Sequence, residues 1–409
     1  MKGKYNLVLK VSDNSFRDVH ESNLFLLKFW SLFSESGSLG WQTFGLKRNN
    51  EVDLGYMDAE VLSTTYNVKV FYKRRGIVSR LVFIPSSKPK KDDEIVVKDL
   101  FDKAKKYYKQ TLTYTLGLTL KTYGIKVANY SSDHLDIYGS DDGFTYIDIQ
   151  VNAFCETTAE KIGKPKLFTL IDILSLVTPN SYERDGIAIL DNRVRLSKSN
   201  TYREGNFHND EAERLSKAMI SRKEIELMNL IIKSNEREYN QSFLGAIKIF
   251  SLASKYKRTL IGQKGFGITD GSRFMFNLSS NEVVLTLLIS SLESAIDSVG
   301  KYETVNCNGC GQKKYSIRKR VLSYVEEFFD DTSMRKYFDD IYSRRSSFLH
   351  TANHIGNNSY TGVSLPTLSN TGEMVNEYSN FNMLLLDDYV SLLLRGMIEK
   401  EEMRIFVKH

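Results

Sequence analysis

Arg345 and His350, in the run Ile341-Tyr-Ser-Arg-Arg-Ser-Ser-Phe-Leu-His350, are the two side chains whose types and spacing could do chemistry together. A histidine titrates near neutral pH, so it can take a proton from one oxygen or give one to another. An arginine can hold a phosphate and stabilise the negative charge that builds on it. Tyr337, Phe338, Ile341, Tyr342, Phe348 and Leu349 mark the apolar stripe of a helix, and Arg345 projects from the middle of that stripe. A guanidinium there is either paired or faces a polar cavity or interface, because an unpaired buried charge is very costly. Glu293, inside the apolar run Asn281–Val299, is the expected partner if Arg345 is structural. Positions i and i+5 lie roughly 140° apart on an ideal helix, so one straight helix cannot easily aim both side chains at one atom. Either the helix ends near Leu349, or a second copy of the motif from a dimer partner completes the site.

Two other features compete for a chemical role. Cys307-Asn-Gly-Cys310 is half a zinc site, and His350-Thr-Ala-Asn-His354 offers an HxxxH at ligand spacing. The gap between the two halves is long for a compact finger. A CxxC that binds zinc without His350, or that makes a tight turn, is the better reading of Cys307 and Cys310. Positive charge also gathers: Lys313, Lys314, Arg318, Lys319 and Arg320 fall in eight residues without an acid, and Lys73, Arg74, Arg75 and Arg80 bracket a hairpin. Either group can contact an acidic partner such as RNA, or form a solvated face. The glycines at 262, 265, 267 and 271 fit no phosphate-loop pattern and read as a connection between helices. Thr351–Asn382, rich in Asn, Ser, Thr and Gly, is long for a loop in a helical bundle, and such loops are commonly functional or disordered.

The elements that must position these residues change character along the chain. Residues 1–152 read as a β-rich domain, with strands at Tyr5–Val11, Asn67–Tyr72, Ile77–Ile84 and Tyr146–Val151, a hairpin turn at Lys73–Gly76, and loops at Ser86–Lys91 and Ser131–Gly143. A helix at Asp99–Tyr108 is expected within it. Residues 153–235 read as a helical connector, with one helix around Ile162–Val177 and another over Glu211–Lys233. Residues 236–409 read as an all-α bundle. Its helices are expected at Ser242–Lys257, Asn281–Val299, Ile317–Phe328, Lys336–Leu349 and Leu384–Ile405. Asn281–Val299 is apolar almost all round and should be the central buried helix. The fold class is therefore α+β.

Composition sets the limits. With 409 residues, 41% hydrophobic and 26% charged, the chain is an ordinary globular protein with room for two or three domains. A net charge of +6 permits an acidic partner without requiring one. No apolar run approaches the roughly 20 residues of a membrane span, and the N-terminus looks like a strand, not a signal peptide. Three cysteines give no disulfide framework, which fits a reducing cytoplasm.

Arg344–His350 (RRSSFLH), at the end of a helix in a helical bundle, resembles the Rx4–6H motif of HEPN nucleases. Ser290–Ser298 (SSLESAIDS) resembles the "LE" helix of the ApeA-like HEPN branch of antiphage defence, and Leu384–Ile398 its last helix. Val151–Pro179 is similar to the segment where that branch's β domain leads into helices. The resemblance spans roughly residues 145–405 and implies a homodimeric endoribonuclease that needs no metal or cofactor. Arg345 and His350 would be catalytic, with Ser346 and Glu293 as polar support; Ser346 stands where members of the branch often carry Asn or Asp. RNA supplies its own nucleophile, the 2′-OH beside the scissile phosphate, and no Asp/Glu cluster near the motif looks like a two-metal site. Lys313, Lys314, Arg318, Lys319, Arg320 and Arg344 are the candidate RNA contacts. The resemblance further implies a cytoplasmic protein acting on RNA, tRNA among the candidates, with a phage-derived activator sensed by the β domain. A non-catalytic HEPN-type RNA-binding or dimerisation module is the alternative.

Overall fold

An aromatic and aliphatic run, Asn23 to Phe33, lies in the region read as β-rich, and it is helical. In the computed structural model, α1 (Val19–Glu35) follows the short strand β1 (Leu7–Lys10). Asp18 caps its first turn by accepting from the Glu21 amide at 2.9 Å. Ser22, Phe25, Phe29 and Phe33 recur at helical spacing and are all buried. Leu24, Leu26, Leu27, Trp30 and Leu32 fill the positions between, so no polar face reveals the period. The structure describes residues 6–11, 15–43, 45–48, 50–73, 76–178, 180–190, 218–234, 241–262, 271–299, 305–306, 313–314, 317–351, 366–368, 374–376 and 383–400.

Five strands after α1 join β1 in an antiparallel sheet: β2 (Leu39–Gln42), β3 (Leu46–Arg48), β4 (Glu51–Ala59), β5 (Tyr66–Tyr72) and β6 (Val78–Pro85). The order is β1-β6-β5-β4-β2, with β3 also on β4. The hairpin expected at Lys73–Gly76 is present: the Lys73 amide donates to the Ile77 carbonyl at 2.8 Å. Gly76 closes it at φ +75°, a left-handed conformation that favours glycine. The next helix, α2 (Lys91–Tyr107), starts well before the expected Asp99, with Asp92, Asp93 and Glu94 in its first turn. Both helices share one hydrophobic cluster with the inward residues of the sheet. At its centre Phe29 meets Phe83 and Phe101 edge-to-face, at centroid distances of 6.1 and 5.7 Å.

A second antiparallel sheet has the order β11-β7-β10-β9-β8. Its strands are β7 (Leu112–Tyr123), β8 (Tyr130–Ser131), β9 (Leu135–Gly139), β10 (Phe144–Ala153) and β11 (Ser181–Leu190), with α3 (Glu156–Val177) between the last two. The loop expected over Ser131–Gly143 contains β9; polar turn residues on both sides of a five-residue strand masked it. The chain divides into two compact units, one of residues 1–116, 150–164 and 189–192, the other of residues 117–149, 165–188 and 193–409.

Helices dominate the second half. α4 (Arg222–Lys233) was expected to begin at Glu211, but Ala218–Ser221 are not helical. The cause is a capping box: Ser221 Oγ accepts from the Glu224 amide while the Glu224 carboxylate accepts from the Ser221 amide. Then come α5 (Gln241–Gly262), α6 (Gly271–Val299), β12 (Val305–Asn306), β13 (Lys313–Lys314), α7 (Ile317–Phe329), α8 (Thr332–Thr351), β14 (Pro366–Leu368), β15 (Met374–Asn376) and α9 (Met383–Lys400). The stripe Phe243, Ala246, Ile247, Phe250 and Ala253 of α5 is buried as its spacing predicts. α6 packs against α5, α7, α8 and α9, so it is the central helix its all-round apolar sequence required. Glu224, fully buried, receives Arg395 of α9 at 2.6 Å and joins α4 to the last helix. The fold is mixed α+β, with sheets first and helices second. Among the described residues no helix is long and apolar enough to cross a membrane.

Candidate functional site

α8 carries the motif, and α6 supplies the groups it meets. Phe338, Ile341 and Tyr342 of the predicted stripe are buried and seat α8 on the bundle. Arg345 follows one turn after Tyr342, so its guanidinium enters the same packed surface. It finds the expected carboxylate: Arg345 Nη1 donates to Glu293 Oε1 at 2.8 Å. Nη2 donates to Ser290 Oγ at 3.1 Å. Ser290 and Glu293 are one turn apart on α6, which is why one fork reaches both. The two charged side chains are 17% and 19% exposed, so the pair is largely but not wholly shielded from water. Arg345 Nε is sealed from solvent and has no hydrogen-bond partner.

Tyr342 completes the cluster. Its hydroxyl is also sealed and makes no well-formed hydrogen bond among the described residues. Burial first, then the nearby Glu293 carboxylate, push its pKa upward, while the Arg345 charge opposes them. The hydroxyl and the Glu293 carboxylate are thus close neighbours, near the limit of a hydrogen bond but short of a well-formed one. Arg318 lies toward its ring at 5.9 Å. Neither Tyr342 nor Ser290 stood out in sequence. The signal for both was position alone, one helical turn before Arg345 and before Glu293.

The remaining site residues fall as follows. α8 runs through His350 and is described as far as Thr351, so His350 stands at the end of the described helix, between Leu349 and Thr351. His350 has a described backbone only. Leu349, placed in the apolar stripe by its spacing, is instead 54% exposed; it lies one turn past Arg345, beyond the residues that seat the helix. Ser346 is exposed and takes no part in the hydrogen bonds around Arg345.

Three of the candidate RNA contacts hold aspartates. Arg318 pairs with Asp339 at 2.7 Å, Arg320 with Asp297 at 2.8 Å, and Arg344 with Asp340 at 2.7 Å. Their charge is locally balanced, and Arg320 is only 11% exposed. Lys319 is exposed on α7, and Lys313 and Lys314 form the short strand β13. Cys307, Cys310 and His354 lie outside the described residues. Among those described, no group of three or more His, Cys, Asp or Glu is disposed to hold a metal ion. Comparison with family models, curated proteins and solved structures finds no match for this chain.

Proposed function

We propose that this protein is a metal-independent endoribonuclease that cleaves RNA by attack of the 2′-OH on the adjacent phosphate. The reading is carried by Arg345, a guanidinium held inside a helical bundle by Glu293 and Ser290, five residues before His350 on one continuous helix. A fork held in place in this way presents a fixed positive charge, and fixed charge near a reacting phosphate can stabilise the transition state. His350 takes the 2′-OH proton or protonates the leaving 5′-oxygen. Positions i and i+5 of an ideal helix lie roughly 140° apart, so in this reading each active site draws on two copies of the chain, with Arg345 and His350 of both at one groove. The exposed Leu349 beside His350 offers apolar surface for that contact. With the HEPN resemblance, the setting is the cytoplasm and the purpose antiphage defence by abortive infection. The N-terminal β-rich region would then sense a phage component.

The test is incubation of the pure protein with labelled tRNA and mRNA. The expected products end in 2′,3′-cyclic phosphate and begin with 5′-OH, and a 2′-deoxy or 2′-O-methyl group at the cut site blocks the reaction. Cleavage of the substituted strand, or products with a plain 3′-OH, would exclude this chemistry. One observation favours a second reading. Both Nη atoms of Arg345 are already engaged, as in a structural ion pair, and the bundle would then be a non-catalytic RNA-binding or dimerisation module. In that case RNA stays intact under every condition while the dimer persists.

A further inference from the structure

Two buried donors in the same turn of α8 lack an acceptor: Arg345 Nε and the Tyr342 hydroxyl. Buried polar groups are nearly always satisfied, and each exception calls for an explanation. Tyr342 is 6% exposed, and the charge that acts on it most strongly is Glu293. The carboxylate that holds Arg345 Nη1 is therefore beside a phenol that, in this arrangement, makes no well-formed hydrogen bond to it. The raised pKa keeps that phenol protonated, hence a donor, across the working pH range.

This arrangement has a consequence for the ribonuclease reading, on which the following inference rests. A phosphate that comes to the Arg345 fork must compete with Glu293, an anion already in place at 2.8 Å. Without a second donor to receive the carboxylate, the competition sets like charges against each other. We propose that Tyr342 is a positioning residue that receives Glu293: when a phosphodiester engages Arg345, the carboxylate turns to the Tyr342 hydroxyl and is held there. Arg345 Nη1, released by Glu293, then serves as the donor for the incoming phosphate oxygen. The closed pair is the resting state, and substrate exchanges one hydrogen-bonded arrangement for another without exposing either charge.

Tyr342→Phe removes the hydroxyl and keeps the ring. As that hydroxyl makes no well-formed hydrogen bond in the resting state, the melting temperature should change little. A hydrogen bond to a charged group is commonly worth about 10- to 100-fold in an equilibrium, so kcat/KM on RNA and the affinity for an uncleavable 2′-O-methyl RNA should both fall by about that factor. In a Glu293→Gln background the competing charge is absent, and Tyr342→Phe should add less than about 3-fold. A residue that acts only through packing would give the same loss in both backgrounds. Parent-like cleavage and binding by Tyr342→Phe overturn the Tyr342 role alone. A parent protein that neither cuts nor binds RNA overturns the ribonuclease reading and this inference with it. If Glu293→Gln does not fold, binding and cleavage by Tyr342→Phe in the native background still decide.

Discussion

At the residue scale, the Arg345–Glu293–Ser290 cluster separates fold from catalysis badly under the bluntest substitution. Arg345→Ala leaves Glu293 partly buried without its partner. Breaking a fully buried pair costs about 3–5 kcal/mol, and the partial exposure of this one lowers the expectation to about 1–3 kcal/mol. Loss of activity in that variant would be uninformative. Arg345→Lys keeps the charge opposite Glu293 but removes the planar fork, so melting should change little while cleavage falls by about 10- to 100-fold. His350→Ala should lower kcat by about 10²–10⁴-fold with the thermal transition unchanged. Parent-like cleavage by His350→Ala would remove the nuclease assignment from this motif.

At the scale of elements, two contacts make separate claims. Gly396 on α9 faces Phe328 on α7 so closely that a Cβ would lie 2.1 Å from Phe328 Cε2. Gly396→Ala forces the ring or the helix aside, with an expected cost of about 1–3 kcal/mol, read as a lower melting temperature. The start of α1 makes a claim about pH. Glu21 is buried, and its carboxylate accepts from the Arg17 side chain at 2.7 Å, from the Arg17 amide at 3.0 Å, and meets Lys109 at 2.9 Å. These partners, Arg17 foremost, hold its pKa down at about 2 against an ordinary 4.5. A folded-state pKa below the unfolded one contributes stability that is complete above about 4.5 and is lost as pH falls toward about 2. Acid melts of Glu21→Gln should therefore run flatter through that window than those of the parent. Parallel curves would show that the Arg17–Glu21–Lys109 cluster does not govern acid stability.

For the whole molecule, the decisive property is assembly. The proposed nuclease reading places two chains at one groove. Mass measurement in solution at micromolar concentration should return at least a dimer. Leu349→Asp, at an exposed apolar position beside the motif, should weaken that dimer and cleavage together while leaving the thermal transition of the chain nearly unchanged. A clean monomer that still cuts RNA would sink the composite site.

Much of the architecture was legible in the residues, and the reasons are local. The stripes of α5, α7 and α9 alternate apolar and polar faces, so their period is visible; α6 is apolar all round, and that alone marks it as central. The Lys73–Gly76 hairpin follows from turn chemistry. Even the Arg345–Glu293 pair could be anticipated, since two opposite charges on apolar helix faces satisfy each other at least cost. What the residues hid had equally physical causes. α1 carries apolar side chains outside its buried face, and β9 is too short between polar turns to show a period. Arg344 and Asp340 pair one turn apart on α8 itself, whereas the balancing of Arg318 by Asp339 and of Arg320 by Asp297 depends on which helices lie side by side. So do the hydroxyl of Ser290 under the Arg345 fork and the orphaned hydroxyl of Tyr342. Periodicity along one chain records which face of a helix is buried; only packing decides which atoms of another helix that face will meet.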